Sequence, residues 1–409
     1  MTSQRDVDVL IIGAGPSGST AAALLLKQGL KPLILEREVF PRFSIGESLL
    51  PQCMGFLEEA GLLRPVVEAG FQHKEGAVFE RGSKRKVIDF RDKVSEGWST
   101  TYQVPRGPFD KLLADEAEKL GAEIRYGHQI LAVDVDGDEP VVTVKGPEGT
   151  YQARARFLLD ASGFGRVLPR LLNLESPSGL PTRLAYFTHL EDGIGRGDFD
   201  RNKILITVHP DNVDVWFWLI PFSNGRASIG VVAEPHLLEH LAGTETERLQ
   251  AIVAETPSLA RHLGNAVWDT PARTLRGYSA NVRTLYGKNF ALLGNAGEFL
   301  DPVFSSGVTI ALKSSSLACP LVARQLAGQV VDWQAEYEVP LRSGVDAFRA
   351  CVESWYRGGF QDVIFFPNPR PDTLAMVVGI LAGYAWDPNN RLVAQPRRLK
   401  ALEMLCAPR

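Results

Sequence analysis

Residues 7–36 constrain the fold more than any other stretch of this chain. Val7-Asp8-Val9-Leu10-Ile11-Ile12 has the apolar run of a buried strand, and Gly13-Ala14-Gly15-Pro16-Ser17-Gly18 follows at once. Ser19 to Gln28 read as a helix of small and apolar residues ending at Gly29, and Pro32-Leu33-Ile34-Leu35 as a second strand closed by Glu36. Strand, glycine turn, helix, strand and terminal acid in this order are the βαβ fingerprint of a dinucleotide site. Gly13 permits the tight turn, Gly15 lets the backbone approach a pyrophosphate, and Gly18 lets helix and strand pack closely. Pro16 and Ser17 open the helix whose N-terminus receives that anion. Glu36 is placed to accept from ribose hydroxyls, with Arg37 beside it.

Two later glycine turns also close apolar strands: Phe157-Leu158-Leu159-Asp160-Ala161-Ser162-Gly163 and Leu292-Leu293-Gly294-Asn295. No second GxGxxG occurs, so a separate nicotinamide domain has no candidate. One site assembled from scattered segments suits FAD, whose flavin is carried to a distant part of the chain, and adds Asp160, Gly294 and Asn295 to the cofactor candidates. Between the cofactor segments, Thr101 to Val104 precedes Arg106 and a helix to Leu120. Lys203 to His209, Val213 to Ile220 and Arg226 to Val232 alternate with the turns Asp211-Asn212 and Ser223-Asn224-Gly225, which predicts an antiparallel sheet. The expected fold class is α/β, an FAD-binding Rossmann-like domain with an inserted antiparallel-sheet substrate domain and a helical C-terminal region. The expected boundaries are 1–75, 105–175 and 275–330 for the cofactor, 76–104 and 176–274 for the sheet, and 331–409 for the helices.

From Gly294 to Gly307 the chain reads Gly-Asn-Ala-Gly-Glu-Phe-Leu-Asp-Pro-Val-Phe-Ser-Ser-Gly, between a short apolar strand and a stretch, Val308 to Leu326, with helical apolar spacing. Its second half carries almost no acid–base chemistry. Any role rests on backbone N–H groups at a helix start, which suit an anion.

Composition excludes several classes. The 409 residues carry a net charge of −4 with no basic stripe, which disfavours nucleic acid as a partner. Cys53, Cys319, Cys351 and Cys406 lack metal or CxxC spacing, so no metal is expected and a reducing, cytoplasmic setting is. The N-terminus has no signal-peptide pattern, and no stretch is expected to reach the ~18 apolar residues of a bilayer span.

With these pieces together, the chain resembles the FAD-dependent halogenases, a branch of the flavoproteins sharing the para-hydroxybenzoate hydroxylase fold. The match is carried by Gly13 to Gly18, by Glu36 through Phe40-Pro41-Arg42 to Ile45-Gly46-Glu47-Ser48-Leu49-Leu50-Pro51, by Lys74 in Phe71-Gln72-His73-Lys74-Glu75-Gly76-Ala77, by Trp216-Phe217-Trp218-Leu219-Ile220-Pro221, and by Phe299, Pro302, Ser305 and Gly307. The resemblance implies that FADH2 from a separate flavin reductase, oxygen and chloride or bromide generate hypohalous acid, which travels inside the protein to catalytic Lys74. It places the halide at Ser305, Ser306 and Gly307, and adds Ser48, Arg106, Asp301 and Gly307 to the cofactor residues. Trp216, Trp218, Pro302 and Phe304 are the implied substrate and tunnel residues.

Phe304 stands where the tryptophan-modifying branch carries a glutamate, which argues against free tryptophan. An electron-rich phenol, pyrrole or carrier-protein-bound aromatic of natural-product biosynthesis fits better. Asn295 replaces the aspartate that many relatives place against the ribityl chain. The run Ser354 to Asp387 looks similar to halogenase-like proteins of aryl-polyene pigment pathways. The alternative on the same fold is a flavin-dependent monooxygenase or double-bond reductase. Without the matched segments, a lone lysine is ordinarily solvated and paired tryptophans ordinarily core.

Overall fold

The computed structural model describes residues 7–195, 197 and 199–407. The βαβ unit forms as expected. Val9–Ile12 lies at the centre of a five-stranded parallel sheet ordered Phe290–Leu292, Phe157–Asp160, Val9–Ile12, Pro32–Glu36, Glu123–Tyr126. Its central strands are apolar at consecutive positions because both faces are covered, as parallel sheets require. Helix Pro16–Lys27 packs on it through small residues, Ala21, Ala22 and Ala23, all fully buried. The fold is thus mixed α/β, with a cofactor domain of this type, further sheets and a helical C-terminal region.

A seven-stranded sheet is ordered Arg273–Arg276, Leu184–Glu191, Arg226–Ala233, Trp216–Pro221, Lys203–Val208, Gly76–Arg81, Lys84–Asp89. It is antiparallel except where Lys203–Val208 runs parallel to Gly76–Arg81. Ladder pairing begins at Trp216, later than the predicted Val213, because Asn212 Oδ1 caps the Asp214 N–H at 3.0 Å and holds 212–215 as a turn. Alternation then puts Trp216, Trp218 and Ile220 in the core shared with the cofactor domain. Phe217 and Leu219 enter a second core under helix Glu245–Ala254.

The central strands of the sheet therefore have no solvated face, while the edge strands Lys84–Asp89 and Arg273–Arg276 are largely exposed. A short antiparallel pair, Gln72–Lys74 with Thr101–Gln103, forms a separate two-stranded sheet.

Helix Ser306–Leu326 corrects one expectation, since by length and apolarity it qualifies as a bilayer span. Its apolar residues Val308, Ile310, Leu312, Leu321 and Val322 are instead buried in the core, as expected of a central helix of a globular fold. Helices Val339–Tyr356, Gly359–Ile364, Pro371–Leu381 and Arg397–Cys406 close the chain.

Candidate active site

The carboxyl ends of the parallel strands open into a cleft of about 780 Å³, lined by Gly13, Gly15, Pro16, Ser17, Glu36 and Arg37 at one end. This lies outside the strand ends of an α/β sheet, where ligands of such sheets bind. Gly15 precedes the first turn of helix Pro16–Lys27 and no side chain caps that end, so its N–H groups face the cleft. Glu36 is held by Ala14 N–H (2.8 Å) and Glu38 N–H (2.8 Å), one on each carboxylate oxygen, which aims the group at the cleft.

At the other end the cleft runs between two walls. One is the inner face of the large sheet, with Ile204, Ile206, Trp218 and Ile220. The other is Phe299, Pro302, Ser305, Gly307 and Val308. Trp218 lies flat across the facing strand, where a Cβ on Gly230 would stand 2.3 Å from the indole, and its N–H donates to Ser228 Oγ at 3.0 Å. Ser305 has φ +56°, a left-handed conformation unusual for a residue with a side chain, and it leads directly into helix Ser306–Leu326. Non-glycine residues held there cluster at ligand loops. No side chain caps the start of that helix, so the N–H groups of its first turn have no side-chain acceptor; Ser305 and Gly307 line the cleft and Ser306 is buried beside them.

The segment 42–48 covers the middle of the cleft. Arg106 donates to the Ile45 carbonyl and, from Nε at 2.7 Å, to Asp110, which also pairs with Arg42 at 3.1 Å. Phe43 stacks on Phe187 at 5.9 Å beneath the Arg273 guanidinium. Glu47 and His189 Nε2 meet at 2.6 Å. Arg273 and, behind the lining, His189 are residues that sequence reasoning did not name, whereas Arg42 and Glu47 sit inside the quoted segment 36–51 without being assigned a role.

Lys74 is 1% exposed and does not line the cleft. Its Nζ donates to Ser48 Oγ (2.7 Å) and Leu49 O (2.8 Å) and stands 5.2 Å over the Phe90 ring. Burial pushes the ammonium down to about 7, with neighbouring Cys53 opposing this weakly. Ser48 does line the cleft, so a single hydroxyl separates the lysine from it.

Several other predicted residues lie behind the walls. Gly18 packs helix on turn, where a Cβ would be 1.9 Å from Gly13 O. Asp160 is fully buried and accepts from the N–H groups of Ser162 (2.9 Å) and Leu168 (2.6 Å), holding the second glycine turn. Gly294 donates to Ser314 Oγ at 2.9 Å. Asp301 accepts from Tyr278, Tyr356 and the Val303 N–H. Trp216 donates to Tyr356 Oη at 2.9 Å, and Phe304 packs edge-on against Trp355 and Phe360.

These residues fit FAD on two observations. Asn295 lines the cleft with its Oδ1 buried and without a partner, the state of an acceptor that a bound group satisfies. A Cβ on Gly15 would stand 3.3 Å from the Arg42 guanidinium, so a side chain there would have to displace Arg42 into the cradle. The cleft volume is also within the range of cofactor sites.

Comparisons with known proteins agree. The model of the FAD binding domain matches residues 6–182, and that of the tryptophan halogenase family residues 211–371. The chain is 29% identical to the 1H-pyrrole-2-carbonyl-[peptidyl-carrier protein] chlorinase of Pseudomonas fluorescens, covering 90% of this chain and 87% of that one. It is 30% identical to the flavin-dependent halogenase armH3 of Armillaria mellea, covering 80% and 69%. Among solved structures, a flavoprotein/dehydrogenase from Cytophaga hutchinsonii is 43% identical with TM-score 0.94, covering 98% of each chain. The flavin-dependent brominase Bmp2 is 26% identical with TM-score 0.84, covering 97% of this chain and 99% of that one. Halogenation, and not the alternative of hydroxylation or double-bond reduction, is what the two curated relatives carry out. The chain belongs to the flavin-dependent halogenases, oxidoreductases that bind FAD and use a halide ion.

Proposed function

We propose that this halogenase generates hypohalous acid in the cleft between Trp218 and the 302–307 loop and uses it at Lys74, on an electron-rich aromatic. FADH2, when bound, supplies the electrons with which oxygen is activated for halide oxidation. Gly13, Gly15, Pro16, Ser17, Glu36, Arg37, Ser48, Arg106 and Asn295 would hold it from the cleft wall, with Gly18, Asp160, Gly294 and Asp301 shaping the turns behind. Ser305 and the N–H groups of Ser306 and Gly307 would hold the halide.

The observation that carries this reading is Lys74: a buried amine, one hydroxyl from the cleft, held near neutrality by desolvation. The free amine keeps a lone pair, so it can hydrogen-bond hypohalous acid or take its halogen with release of water. Trp218 stands between the cleft and the interior and keeps the oxidant from the ring until Lys74 delivers it. Trp216 supports that wall from behind, while Phe304 packs behind the facing loop against Trp355 and Phe360.

The substrate class we infer is a phenol, a pyrrole or a carrier-protein-bound aromatic. The glutamate-free Phe304 position favours this, as does likeness to an enzyme named for a pyrrolyl carrier substrate. A separate reductase supplying FADH2 and a cytoplasmic setting complete the reading, supported by the single dinucleotide fingerprint and four free cysteines. The division into cofactor, sheet and helical parts at the boundaries given above belongs to it as well.

The test is a panel of free tryptophan, a phenol, free pyrrole and a pyrrolyl-loaded carrier protein, incubated with FADH2, oxygen and bromide. Bromination of a phenol or a pyrrolyl group is expected. Bromination of free tryptophan in preference to both would overturn the substrate class.

A further inference from the structure

Asp301 follows the Gly294 turn and precedes the loop, yet it touches neither the cleft nor solvent. Its Oδ1 accepts from Val303 N–H at 3.0 Å, which makes it the cap of the single helical turn Pro302–Phe304. Its Oδ2 accepts from Tyr356 Oη at 2.8 Å and Tyr278 Oη at 3.2 Å. Tyr356 in turn accepts from Trp216 Nε1 at 2.9 Å. The Arg183 guanidinium lies 3.5 Å from the centre of the Tyr356 ring and is paired with Asp214 and, at 3.7 Å, Glu234.

A continuous buried chain thus runs Trp216, Tyr356, Asp301, Val303. Its first member is two residues from Trp218 on the same strand face, with ring centroids 6.0 Å apart. Its last member lies in the loop that carries Pro302, Ser305 and Gly307. The two walls of that end of the cleft, one from the seven-stranded sheet and one from the loop leading into helix Ser306–Leu326, are fastened to each other by this relay.

We propose that Tyr356 and Asp301 are positioning residues that set the gap between the Trp218 wall and the halide loop. This rests on the reading of that loop as the halide site. The phenol is the one group in the relay that both accepts from the sheet and donates to the loop, so removing its oxygen disconnects the walls while the ring stays packed under Arg183. Tyr278 offers an internal control. It also donates to Asp301, but it packs on Phe299 at 5.7 Å and makes no bond to Trp216. A role confined to packing or stability treats the two tyrosines alike.

The experiment compares FAD-loaded wild type, Tyr356→Phe and Tyr278→Phe by flavin emission and by its response to added bromide, without turnover. The expected result is unchanged FAD affinity, brighter flavin emission in Tyr356→Phe as the Trp218 wall moves away, and a bromide half-saturation raised about tenfold, the scale of one lost hydrogen-bonded tether. Tyr278→Phe should move bromide binding by less than about threefold. Equal shifts in both variants, or none in Tyr356→Phe, overturn the proposal. A wild-type protein blind to bromide sinks the halide reading instead, and the relay then stands or falls on the emission difference between the two variants. Should Tyr356→Phe not fold, Trp216→Phe cuts the same relay one bond earlier and must give the same two shifts.

Discussion

Lys74 Nζ donates a 2.7 Å hydrogen bond to Ser48 Oγ, and Ser48 faces the cofactor cleft while Lys74 does not. Lys74 is thus set behind the cleft wall, one hydroxyl away from the cleft. On the proposed mechanism, oxidant formation in the cleft and halogen transfer at Lys74 are separable. Lys74→Ala should leave FAD binding and the rate of FADH2 reoxidation within about twofold of wild type, while product halogenation falls by about 100-fold or more, the range of a lost catalytic group. Parallel measurement of flavin absorbance and halogenated product checks it. A variant that halogenates normally removes Lys74 from the mechanism.

The same burial makes stability depend on pH. Lys74 is held down to about 7 from its ordinary 10.5, so between those values the unfolded chain carries a proton that the folded chain lacks. Stability contributed by this group therefore rises with pH across that window, with a slope of up to ~1.4 kcal/mol per pH unit. Burial holds the Cys53, Cys319 and Cys351 thiols above their ordinary 9.0, which reverses the trend at higher pH. Urea denaturation between about pH 7 and pH 9 should show the rise in wild type and a flatter profile in Lys74→Met. Identical slopes would mean that the lysine does not titrate in this window.

Gly18 has no room for a methyl group, since its Cβ would stand 1.9 Å from Gly13 O. Gly18→Ala must push helix Pro16–Lys27 away from the turn it caps. A loss of ~1–3 kcal/mol of stability and a marked weakening of FAD binding are expected, read by thermal melting and flavin fluorescence titration. Full FAD affinity in this variant would contradict the close helix–turn packing.

The segment 42–48 is fastened over the cleft by Glu47 and His189 at 2.6 Å and by the Phe43–Phe187 stack. His189→Leu leaves the Glu47 carboxylate buried without that partner. FAD release, followed by stopped-flow after dilution into excess competitor, should quicken by about tenfold, as expected for one lost charge-assisted bond. An unchanged release rate would show that these residues do not govern cofactor retention.

Different parts of this architecture were legible in the sequence to different degrees. The βαβ unit is local: its glycines, apolar strands and Glu36 lie within thirty residues, and each is needed for steric or hydrogen-bonding reasons that composition displays. The alternation of Trp216, Phe217 and Trp218 likewise reported the sheet face. Asp160 drew notice as an acid in a glycine turn and Asp301 through the family resemblance; what the sequence could not show is that both direct their oxygens to backbone N–H groups of their own turns or to tyrosines. The Glu47–His189 pair joins positions 142 residues apart, and no local pattern announces it. Burial of Lys74 depends on the pairing of Gln72–Lys74 with Thr101–Gln103, a contact between short strands of weak signal. Its place in a matched segment pointed to it, and its own neighbours in the chain did not.

The property proposed above is that this protein makes and directs an electrophilic halogen. Its most direct test is mass spectrometry of the product formed from a phenol or pyrrolyl carrier with the protein, FADH2, oxygen and bromide. The expected product carries the bromine isotope doublet, requires bromide, and disappears in Lys74→Ala. A hydroxylated or reduced product that forms equally well without halide would contradict the account.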